Sequence, residues 1–479
     1  MKKKIKNVRV KKTKIICTLG PATNSVKKIV ELIELGMNIA RLNFSHGSYD
    51  EHEGTIKNIK KASEIVGWDI PFFVDLCGPK IRCGEIDGVI NFKNGDKTIV
   101  TTEDIVGTKE RFSTIYTDLH KDLKADDIVL INDGTVELKV EKVVKKDIYC
   151  VVTAGGVVSS RKGINLPYVE VSTKALTDKD KQDALFGIRH GAAYLALSFV
   201  RRAQDVIELK DFLKKYNFGT PVISKIEKPS AVDEIDDIIA ASDAIMIARG
   251  DLGVEMPTES VPQTQKMIIK KCIYNNCPVI TATQMLESMI SAAIPTRAEA
   301  SDVANAVLDG TDAVMLSAET SVGKYPKQAV KIMRNIIMTY EDEGILKNWM
   351  HKKIEDAATK DVDSIVNATS HLAHSMDAAA IISITKSGRT AKMLSKFRSS
   401  VPVLAYSEDE VSLRTMSLFW GVLTNKIEKV GDTDRTMDNA VALAKKSKFV
   451  DSGDNVIFVA GVPMLESRTV NMIRVYRVF

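Results

Sequence analysis

Eight short, β-rich apolar runs recur along this chain, with helical periodicity in most of the stretches between them. Alternation of this kind is typical of parallel βα units, in which a helix returns the chain from the end of one strand to the start of the next. Eight such units predict an α/β fold of the (β/α)8 barrel type, a TIM barrel. The runs lie at residues 13–19, 37–44, 70–76, 193–200, 220–227, 242–249, 277–286 and 311–319.

Residues 78–172 interrupt this alternation after the third run. They contain short strand-like runs and turns without a 3.6-residue period, which predicts an inserted all-β domain; we expect a β-barrel. Because the insertion follows the end of a barrel strand, it should lie over the active face as a lid. Residues 1–77 and 173–343 then form the catalytic barrel, and together they match the roughly 250 residues typical of that fold.

A third unit is predicted from residue 344 to residue 479. Apolar runs at 378–385, 401–406, 454–461 and 473–478 alternate there with helical stretches, which predicts an open α/β domain. Three units agree with a chain of 479 residues, since domains contain roughly 150 residues each.

Composition excludes several classes of protein. With 44% hydrophobic and 27% charged residues, the chain is neither fibrous nor disordered. A net charge of +5 is far below that of a dedicated nucleic-acid-binding protein, and no run of 18 apolar residues predicts a membrane span. The six cysteines show no CxxC pair and no zinc spacing, so we expect reduced thiols in a cytoplasmic protein.

Polar residues cluster where the eight runs end, the face at which barrels bind their ligands. Arg41 and Asn43, and likewise Lys225 and Glu227, are two positions apart and should share a face. Glu227 and Asp251 provide oxygen ligands that suit Mg2+ or Mn2+, and the cations beside them suit a phosphate. The chain has no Walker A, protein-kinase or HExxH motif and no plausible Ser-His-Asp signature, which excludes the common nucleotide-kinase scaffolds and counts against hydrolases.

Several long segments resemble the pyruvate kinase family, in the same order and across all three predicted domains. They are TKIICTLGPATNS, MNIARLNFSHG, GPKIRCGE, SSRKGINLP, ISKIEKPSAVDEID, IMIARGDLGVE, ATQMLESMI, PTRAEASDVANAVLDGTDAVMLSAET and TKSGRTAKMLSKFR. The resemblance implies the same barrel, lid and C-terminal regulatory domain. It also implies a homotetramer that transfers the phosphoryl group of phosphoenolpyruvate to ADP, giving pyruvate and ATP, in the last step of glycolysis.

Individual roles follow from the resemblance, position by position. Lys225 resembles the lysine that neutralises the phosphoryl group in flight, and Arg41 resembles the phosphate-binding arginine. Glu227 and Asp251 would hold the divalent ion, and Thr283 would lie near the carbon that becomes the methyl group. The implied nucleotide contacts are Asn43 and Lys162, and Arg82 would be a second catalytic cation on the nucleotide side or the phosphate side. The implied N–H donors to the substrate carboxylate are Arg249 and Gly250.

One segment departs from the Asp-Thr-Lys-Gly-Pro-Glu-Ile-Arg pattern of the potassium-activated members. This chain reads Asp75, Leu76, Cys77, Gly78, Pro79, Lys80, Ile81 and Arg82. The usual monovalent-cation site uses the side chains of Asn43, Ser45 and Asp75 and the main-chain oxygen at Leu76. A tethered ammonium at Lys80 would replace K+, because two cations close together repel each other. We therefore expect an enzyme that needs Mg2+ but not K+; the alternative is that Lys80 only forms a salt bridge with a lid carboxylate.

A helix start in the third domain suggests an effector site. The segment consists of Thr385, Lys386, Ser387, Gly388, Arg389 and Thr390. Free N–H groups at a helix N-terminus favour anions, and in the resembling family this segment binds an effector phosphate. The loop 462–467 lacks the Trp and Gly-rich run associated with fructose-1,6-bisphosphate, which leaves AMP or a sugar monophosphate. Glu466 in that loop argues against an anion, and a plain capped helix start is the alternative.

Two other functions stay open on the sequence alone. One is a different Mg2+-dependent barrel that acts on phosphoenolpyruvate or a 2-oxo acid, such as an aldolase-type lyase. The lid and the LNFSHG, GPKIR and TKSGRT segments disfavour it. The other is a catalytically silent, effector-binding scaffold, which the joint presence of Arg41, Lys225, Glu227, Asp251 and Thr283 disfavours.

Overall fold

The structure, a computed structural model, describes residues 11–341, 361–428, 432–465 and 470–479. Its strands are β1 (Lys14–Thr18), β2 (Ile39–Asn43), β3 (Phe72–Asp75), β4 (Val89–Asn91), β5 (Lys97–Thr101), β6 (Arg111–Ser113), β7 (Ile128–Ile131), β8 (Val136–Val144), β9 (Asp147–Ala154), β10 (Val157–Ser159), β11 (Ile164–Asn165), β12 (Tyr194–Leu197), β13 (Val222–Ile226), β14 (Ala244–Ala248), β15 (Val279–Ala282), β16 (Ala313–Leu316), β17 (Ala380–Ile384), β18 (Val403–Ser407), β19 (Val422–Lys426), β20 (Asn455–Ala460) and β21 (Met472–Arg477).

The α-helices in the described ranges connect and flank these strands. They are α1 (Val26–Leu35), α2 (Tyr49–Val66), α3 (Leu119–Asp122), α4 (Asp178–Arg189), α5 (Ala203–Lys214), α6 (Pro229–Asp233), α7 (Ile235–Ala241), α8 (Arg249–Glu255), α9 (Val261–Tyr274), α10 (Arg297–Asp309), α11 (Ala318–Ser321), α12 (Pro326–Tyr340), α13 (Asp361–Ser375), α14 (Arg389–Lys396), α15 (Glu410–Met416) and α16 (Thr433–Lys446). Within these ranges, no helix combines the length and the apolar character that crossing a bilayer requires.

The predicted barrel is confirmed. Strands β1, β2, β3 and β12–β16 form a closed, parallel ring in the order β1-β16-β15-β14-β13-β12-β3-β2. These strands are apolar because the helices cover their outer side and side chains from the other strands fill the interior of the barrel. Along β2, Leu42 is buried in the core between strands and helices, whereas Arg41 and Asn43 are half-buried on the opposite face. The predicted pairing of Arg41 and Asn43 on one face therefore holds.

The inserted segment lies between β3 and β12 and has its own apolar core. It forms a six-stranded sheet in the order β11-β7-β8-β9-β5-β6 and a two-stranded sheet of β10 and β4. The expected β-barrel is not closed by a continuous ladder. Instead, Arg82 makes a single bridge to Gly163 beside β11, and Cys83 makes one to Thr114 beside β6. The sheet is therefore open, because the segment that joins its two edges pairs with each of them at one residue only.

The C-terminal domain is an open five-stranded sheet in the order β19-β18-β17-β20-β21. Its strands are parallel except for β21, which runs antiparallel to β20. The predicted runs correspond to β17, β18, β20 and β21, but sequence reasoning missed β19, which pairs in parallel with β18. The predicted boundaries at residues 78, 172 and 344 stay predictions, and the last of them lies outside the described residues.

The N-terminal ends of the barrel strands pack against the C-terminal domain. Lys14 Nζ donates to the carbonyl oxygen of Val422 at 2.5 Å, and Arg398 donates to Asp312 Oδ1 at 2.7 Å. Apolar residues of the barrel interior and of the C-terminal sheet form one continuous core. The opposite face of the barrel, where its strands end, is thus left for the inserted segment and for ligands.

Candidate active site

The candidate catalytic lysine lies at the centre of an ionic network at the C-terminal ends of the strands. Lys225 Nζ is 2.8 Å from Glu227 Oε1, 3.3 Å from Asp75 Oδ1 and 2.7 Å from Ser198 Oγ. Burial by itself lowers the pKa of Lys225, but the charges of Asp75 and Glu227 outweigh burial and raise that pKa above its usual value. The ammonium is therefore charged at neutral pH, and its position is fixed from three sides.

Asp75 joins this lysine to the candidate phosphate-binding arginine. The Nε and Nη2 atoms of Arg41 lie 2.7 and 2.6 Å from Asp75 Oδ2, and Nη1 donates to Thr18 Oγ1 at 3.0 Å. Burial raises the pKa of Asp75, but Lys225 and Arg41 outweigh it and hold that pKa below its usual value. Each oxygen of Asp75 faces one cation, so this carboxylate holds Lys225 and Arg41 side by side.

The two candidate metal ligands are close enough to influence each other. Glu227 Oε2 accepts the N–H of Phe199 at 2.8 Å, and Asp251 lies in the first turn of α8. Burial and the negative charge of Asp251 both raise the pKa of Glu227. The positive charge of Lys225 lowers it but does not outweigh them, so the pKa lies above its usual value. A divalent cation between the two carboxylates would relieve this repulsion.

The donor set fits a Mg2+ ion that is held partly by protein carboxylates and partly by oxygen atoms of a substrate. Among the described residues, no group of three or more His, Cys, Asp or Glu side chains is arranged to hold a metal ion. Glu227 and Asp251 therefore provide two carboxylates and no more, and Mg2+ is commonly held by one or two carboxylates with water and substrate oxygens.

Thr283, Gly250 and Arg249 form a second group of contacts beside the ionic network. The N–H of Gly250 donates to Thr283 Oγ1 at 2.7 Å, and that hydroxyl donates to the carbonyl of Ala282 at 2.7 Å. Thr283 has φ +64 and Gln284 has φ +55, so two consecutive non-glycine residues adopt the left-handed conformation. Such strain is typical of functional sites. A substrate carboxylate that binds the N–H of Gly250 would have to displace the threonine hydroxyl.

The side chain of Arg249 is engaged in contacts within the protein and is not free to bind a substrate carboxylate. It is buried and donates to Asp302 Oδ1 at 2.7 Å and to the carbonyl of Thr283 at 2.8 Å. Only its backbone N–H, in the first turn of α8, is left for a ligand, since the first N–H groups of a helix have no partner within it. This agrees with the expectation that Arg249 contributes through its backbone.

The residues of the expected monovalent-cation site are partly assembled. Asn43 and Asp75 are register partners on β2 and β3, and Asn43 Oδ1 accepts the N–H of Ser45 at 3.2 Å. The carbonyl of Leu76 accepts a hydrogen bond from Ser198 at 2.7 Å. Lys80 is exposed, and no hydrogen bond or ion pair within the described part of the chain joins it to this group. Replacement of K+ by the Lys80 ammonium therefore stays a prediction.

The candidate nucleotide cations lie together on the inserted segment. Arg82 is half-buried, and its backbone pairs with Gly163, next to the exposed Lys162. The carbonyl of Lys162 accepts the N–H of Cys83 at 2.8 Å. The two residues therefore lie on paired stretches of backbone, and within the described part of the chain no hydrogen bond or ion pair joins either of them to Lys225.

The candidate effector segment is an ordered helix start. Thr385 Oγ1 accepts the N–H of Gly388 at 3.1 Å, and Gly388 has φ +77 immediately before α14. Lys386, Ser387 and Arg389 are exposed around this point, whereas Thr385 and Thr390 are buried. Of the neighbouring loop, Glu466 and Ser467 lie outside the described residues.

Two residues were assigned no role from the sequence. Ser198 Oγ contacts Lys225 Nζ and donates to the carbonyl of Leu76, so it connects the lysine to β3. Phe199 has φ +56, and its N–H holds Glu227 Oε2. Ser198 is a polar residue near the end of the predicted run 193–200, whereas a backbone donor such as that of Phe199 leaves no signal in the side-chain pattern.

The chain is similar in sequence and in fold to pyruvate kinases. The family model for the pyruvate kinase barrel domain matches residues 10–330, and that for the pyruvate kinase alpha/beta domain matches residues 363–476. The chain is 44% identical to the pyruvate kinase of Geobacillus stearothermophilus over 470 residues, which cover 97% of this chain and 80% of the relative. It is 42% identical to that of Staphylococcus aureus strain MRSA252, covering 98% and 81%. A solved pyruvate kinase from Cryptosporidium parvum superposes with a TM-score of 0.93 at 36% identity, covering 98% of this chain and 97% of that one.

Proposed function

The chain belongs to the pyruvate kinase family and is a phosphotransferase, and we propose that the network around Lys225 carries its reaction. It transfers the phosphoryl group of phosphoenolpyruvate to ADP, which gives pyruvate and ATP in the last step of glycolysis. Family membership across barrel and C-terminal domain removes the aldolase-type lyase as an alternative. The main supporting observation for the proposed roles is the Lys225 ammonium, fixed between Asp75, Glu227 and Ser198.

Phosphoryl transfer needs alignment and charge neutralisation more than covalent catalysis. In our proposal Lys225 contacts the phosphoryl group in flight and offsets the charge on its oxygens. Arg41, on β2 and fixed by Asp75, binds the same group from the other side of Asp75, and Arg82 and Lys162 bring the nucleotide phosphates from the inserted segment. Closure of that segment would exclude water, which strengthens each of these interactions.

Pyruvate kinases generally use Mg2+ and K+, and the finer assignments here are ours. Glu227 and Asp251 would hold Mg2+, which when bound neutralises charge on the substrate oxygens. The enolate that remains after transfer needs a proton on carbon. Thr283 donates its own proton to the carbonyl of Ala282, so we assign it the positioning of the proton donor.

We also propose that K+ is not required. Asp75, the charged member of the expected cation site, is already flanked by Arg41 and Lys225, and Lys80 lines a cavity next to Asp251. A further cation at Asp75 would therefore meet positive charge on two sides. Lys80 would act from the inserted segment after that segment moves, because its ammonium is exposed in the present arrangement.

A coupled assay of pyruvate formation tests both the activity and its ion dependence. The reaction is run with phosphoenolpyruvate, ADP and Mg2+, with either K+ or tetramethylammonium as the only monovalent cation. Pyruvate formation with both supports the proposal, and Lys80→Glu should then make the rate depend on K+. Many-fold activation of the unaltered enzyme by K+ would refute K+ independence, and the absence of pyruvate under all conditions would support a silent scaffold.

Assembly, regulation and location are proposed on family grounds. We propose a homotetramer, and an effector phosphate bound by Lys386, Ser387 and Arg389 at the start of α14, from AMP or a sugar monophosphate. A thermal-shift screen with phosphorylated metabolites tests the effector, since a ligand that binds the folded state raises its melting temperature. All six cysteines are free thiols, which supports a cytoplasmic location.

A further inference from the structure

A buried ion pair connects the two segments that carry the candidate metal ligands. Lys228 Nζ lies 2.8 Å from Glu255 Oε1. Lys228 directly follows Glu227, and Glu255 lies four residues after Asp251, one turn further along the same short helix, α8. Each candidate metal carboxylate therefore has one member of this ion pair on its own stretch of backbone.

The same pair is tied to the inserted segment. Asn165, at the end of β11, donates from Nδ2 to Glu255 Oε1 at 3.0 Å. A single carboxylate oxygen thus accepts from the barrel and from the inserted segment together. We call Lys228, Glu255 and Asn165 the latch.

The latch is buried and incompletely satisfied. Glu255 is 2% exposed, and its second oxygen, Oε2, has no hydrogen-bond partner within the described part of the chain. Glu255 lines a cavity of about 30 Å3 together with Asp251, Lys80 and Asp133, which is space for one or two water molecules. An unsatisfied buried carboxylate oxygen is destabilising, so this arrangement is not explained by stability alone.

We propose that the latch is a positioning device for the divalent ion, which sets the spacing of Glu227 and Asp251 and links it to docking of the inserted segment. The inference rests on the proposed metal site. α8 is held at its start by the Gly250 to Thr283 contact and at its end by Glu255, so release of Glu255 lets the helix that carries Asp251 tilt. Residues that orient metal ligands from outside typically change metal affinity by 10-fold to 100-fold.

Lys228→Met distinguishes a positioning role from a purely electrostatic one, because the two predict opposite changes in the affinity for a divalent ion. Loss of a cation near the site, which also leaves Glu255 unpaired, would strengthen binding of a divalent ion if only charge mattered. The latch predicts about 10-fold weaker binding. Mn2+ affinity is measured on the whole enzyme without substrates, by electron paramagnetic resonance of free Mn2+ and by calorimetry, so the result does not depend on activity.

The matched control is Lys266→Met. Lys266 forms an ion pair with the buried carboxylate of Asp309, on helices α9 and α10, which carry no metal ligand. This variant should keep Mn2+ affinity within about twofold, and Lys228→Arg should largely restore it. If Lys228→Met does not fold, Asn165→Ala removes the neutral member of the latch without changing any charge, and it should also weaken Mn2+ binding.

Two outcomes overturn the latch, and a third overturns its premise. Unchanged or tighter Mn2+ binding in Lys228→Met, or equal losses in Lys228→Met and Lys266→Met, would show that the pair is only structural. Glu227→Gln and Asp251→Asn test the metal site itself. If neither of these weakens Mn2+ binding, the proposed metal site is wrong and the latch fails with it.

Discussion

Replacement of Gly78 by alanine tests how the start of the inserted segment is coupled to the proposed metal site. Gly78 follows β3 at φ +66, and its N–H donates to Asp180 Oδ1 at 3.0 Å. A Cβ atom at this position would lie 2.7 Å from Phe199 Cδ2 and 3.1 Å from Ser198 Cβ. The neighbour that must move is thus the residue whose N–H holds Glu227.

Two free-energy costs determine how much stability Gly78→Ala should lose. A left-handed conformation costs alanine about 1–2 kcal/mol relative to glycine. Overpacking against a ring in a close-packed region adds about 1–3 kcal/mol. Gly67, in the same barrel, provides the control, since it has φ +70 and a Cβ atom there would meet nothing within 4 Å. Gly67→Ala should therefore incur only the conformational cost, whereas Gly78→Ala should incur both the conformational and the overpacking cost.

The assay combines urea unfolding with Mn2+ binding. We expect Gly78→Ala to lower the free energy of unfolding by about 1–3 kcal/mol more than Gly67→Ala does, because only Gly78 faces a ring. We also expect weaker Mn2+ binding in Gly78→Ala alone, since a displaced Phe199 withdraws its N–H from Glu227. Equal losses of stability in the two variants, with Mn2+ affinity unchanged in both, would refute the coupling.

Two further predictions concern the contact between the barrel and the C-terminal domain. Burial lowers the pKa of Lys14 to about 8, against the attraction of Glu341 and Asp312, whereas the unfolded chain keeps the usual value near 10.5. Between these two pH values the unfolded state binds more protons, so Lys14 makes stability rise with pH by about 3 kcal/mol. Lys14→Met should lack this rise in urea titrations from pH 7 to pH 10, and a difference from the unaltered protein that does not change with pH would contradict the reasoning. Arg398→Leu leaves Asp312 buried without its ion-pair partner and should cost about 3–5 kcal/mol in thermal unfolding. Arg111→Leu, which breaks a half-exposed pair, should cost about 1 kcal/mol or less, and similar losses in both would count against this account.

The barrel and the pairing of its polar strand ends follow from the sequence, for a simple physical reason. Strands that are buried on both faces need continuous apolar runs, and the functional residues stand out as the polar positions at which these runs stop. The prediction that Lys225 and Glu227 share a face is confirmed by their 2.8 Å contact. Residues two apart in a strand must share a face, so this inference needed no tertiary information.

Features that depend on packing between distant segments could not be predicted in the same way. The strand β19 reads VLTNK, and its polar second half hides a strand that is recognisable only by its pairing with β18. The sequence shows that Lys80 replaces the Glu of the potassium-activated pattern, but the position of the Lys80 ammonium depends on how the inserted segment packs against the barrel. The latch joins residues from β11, the end of β13 and α8, which no local pattern connects.

The central claim is that Lys225 neutralises the phosphoryl group while Glu227 and Asp251 hold the divalent ion. Lys225→Met tests it most directly, by the rate of ATP formation from phosphoenolpyruvate and ADP at saturating Mg2+, with Mn2+ affinity and thermal unfolding measured on the same sample. We predict a folded protein that still binds Mn2+ and has lost on the order of 10²–10³-fold in rate. A folded variant that forms ATP within about tenfold of the unaltered rate would contradict the account.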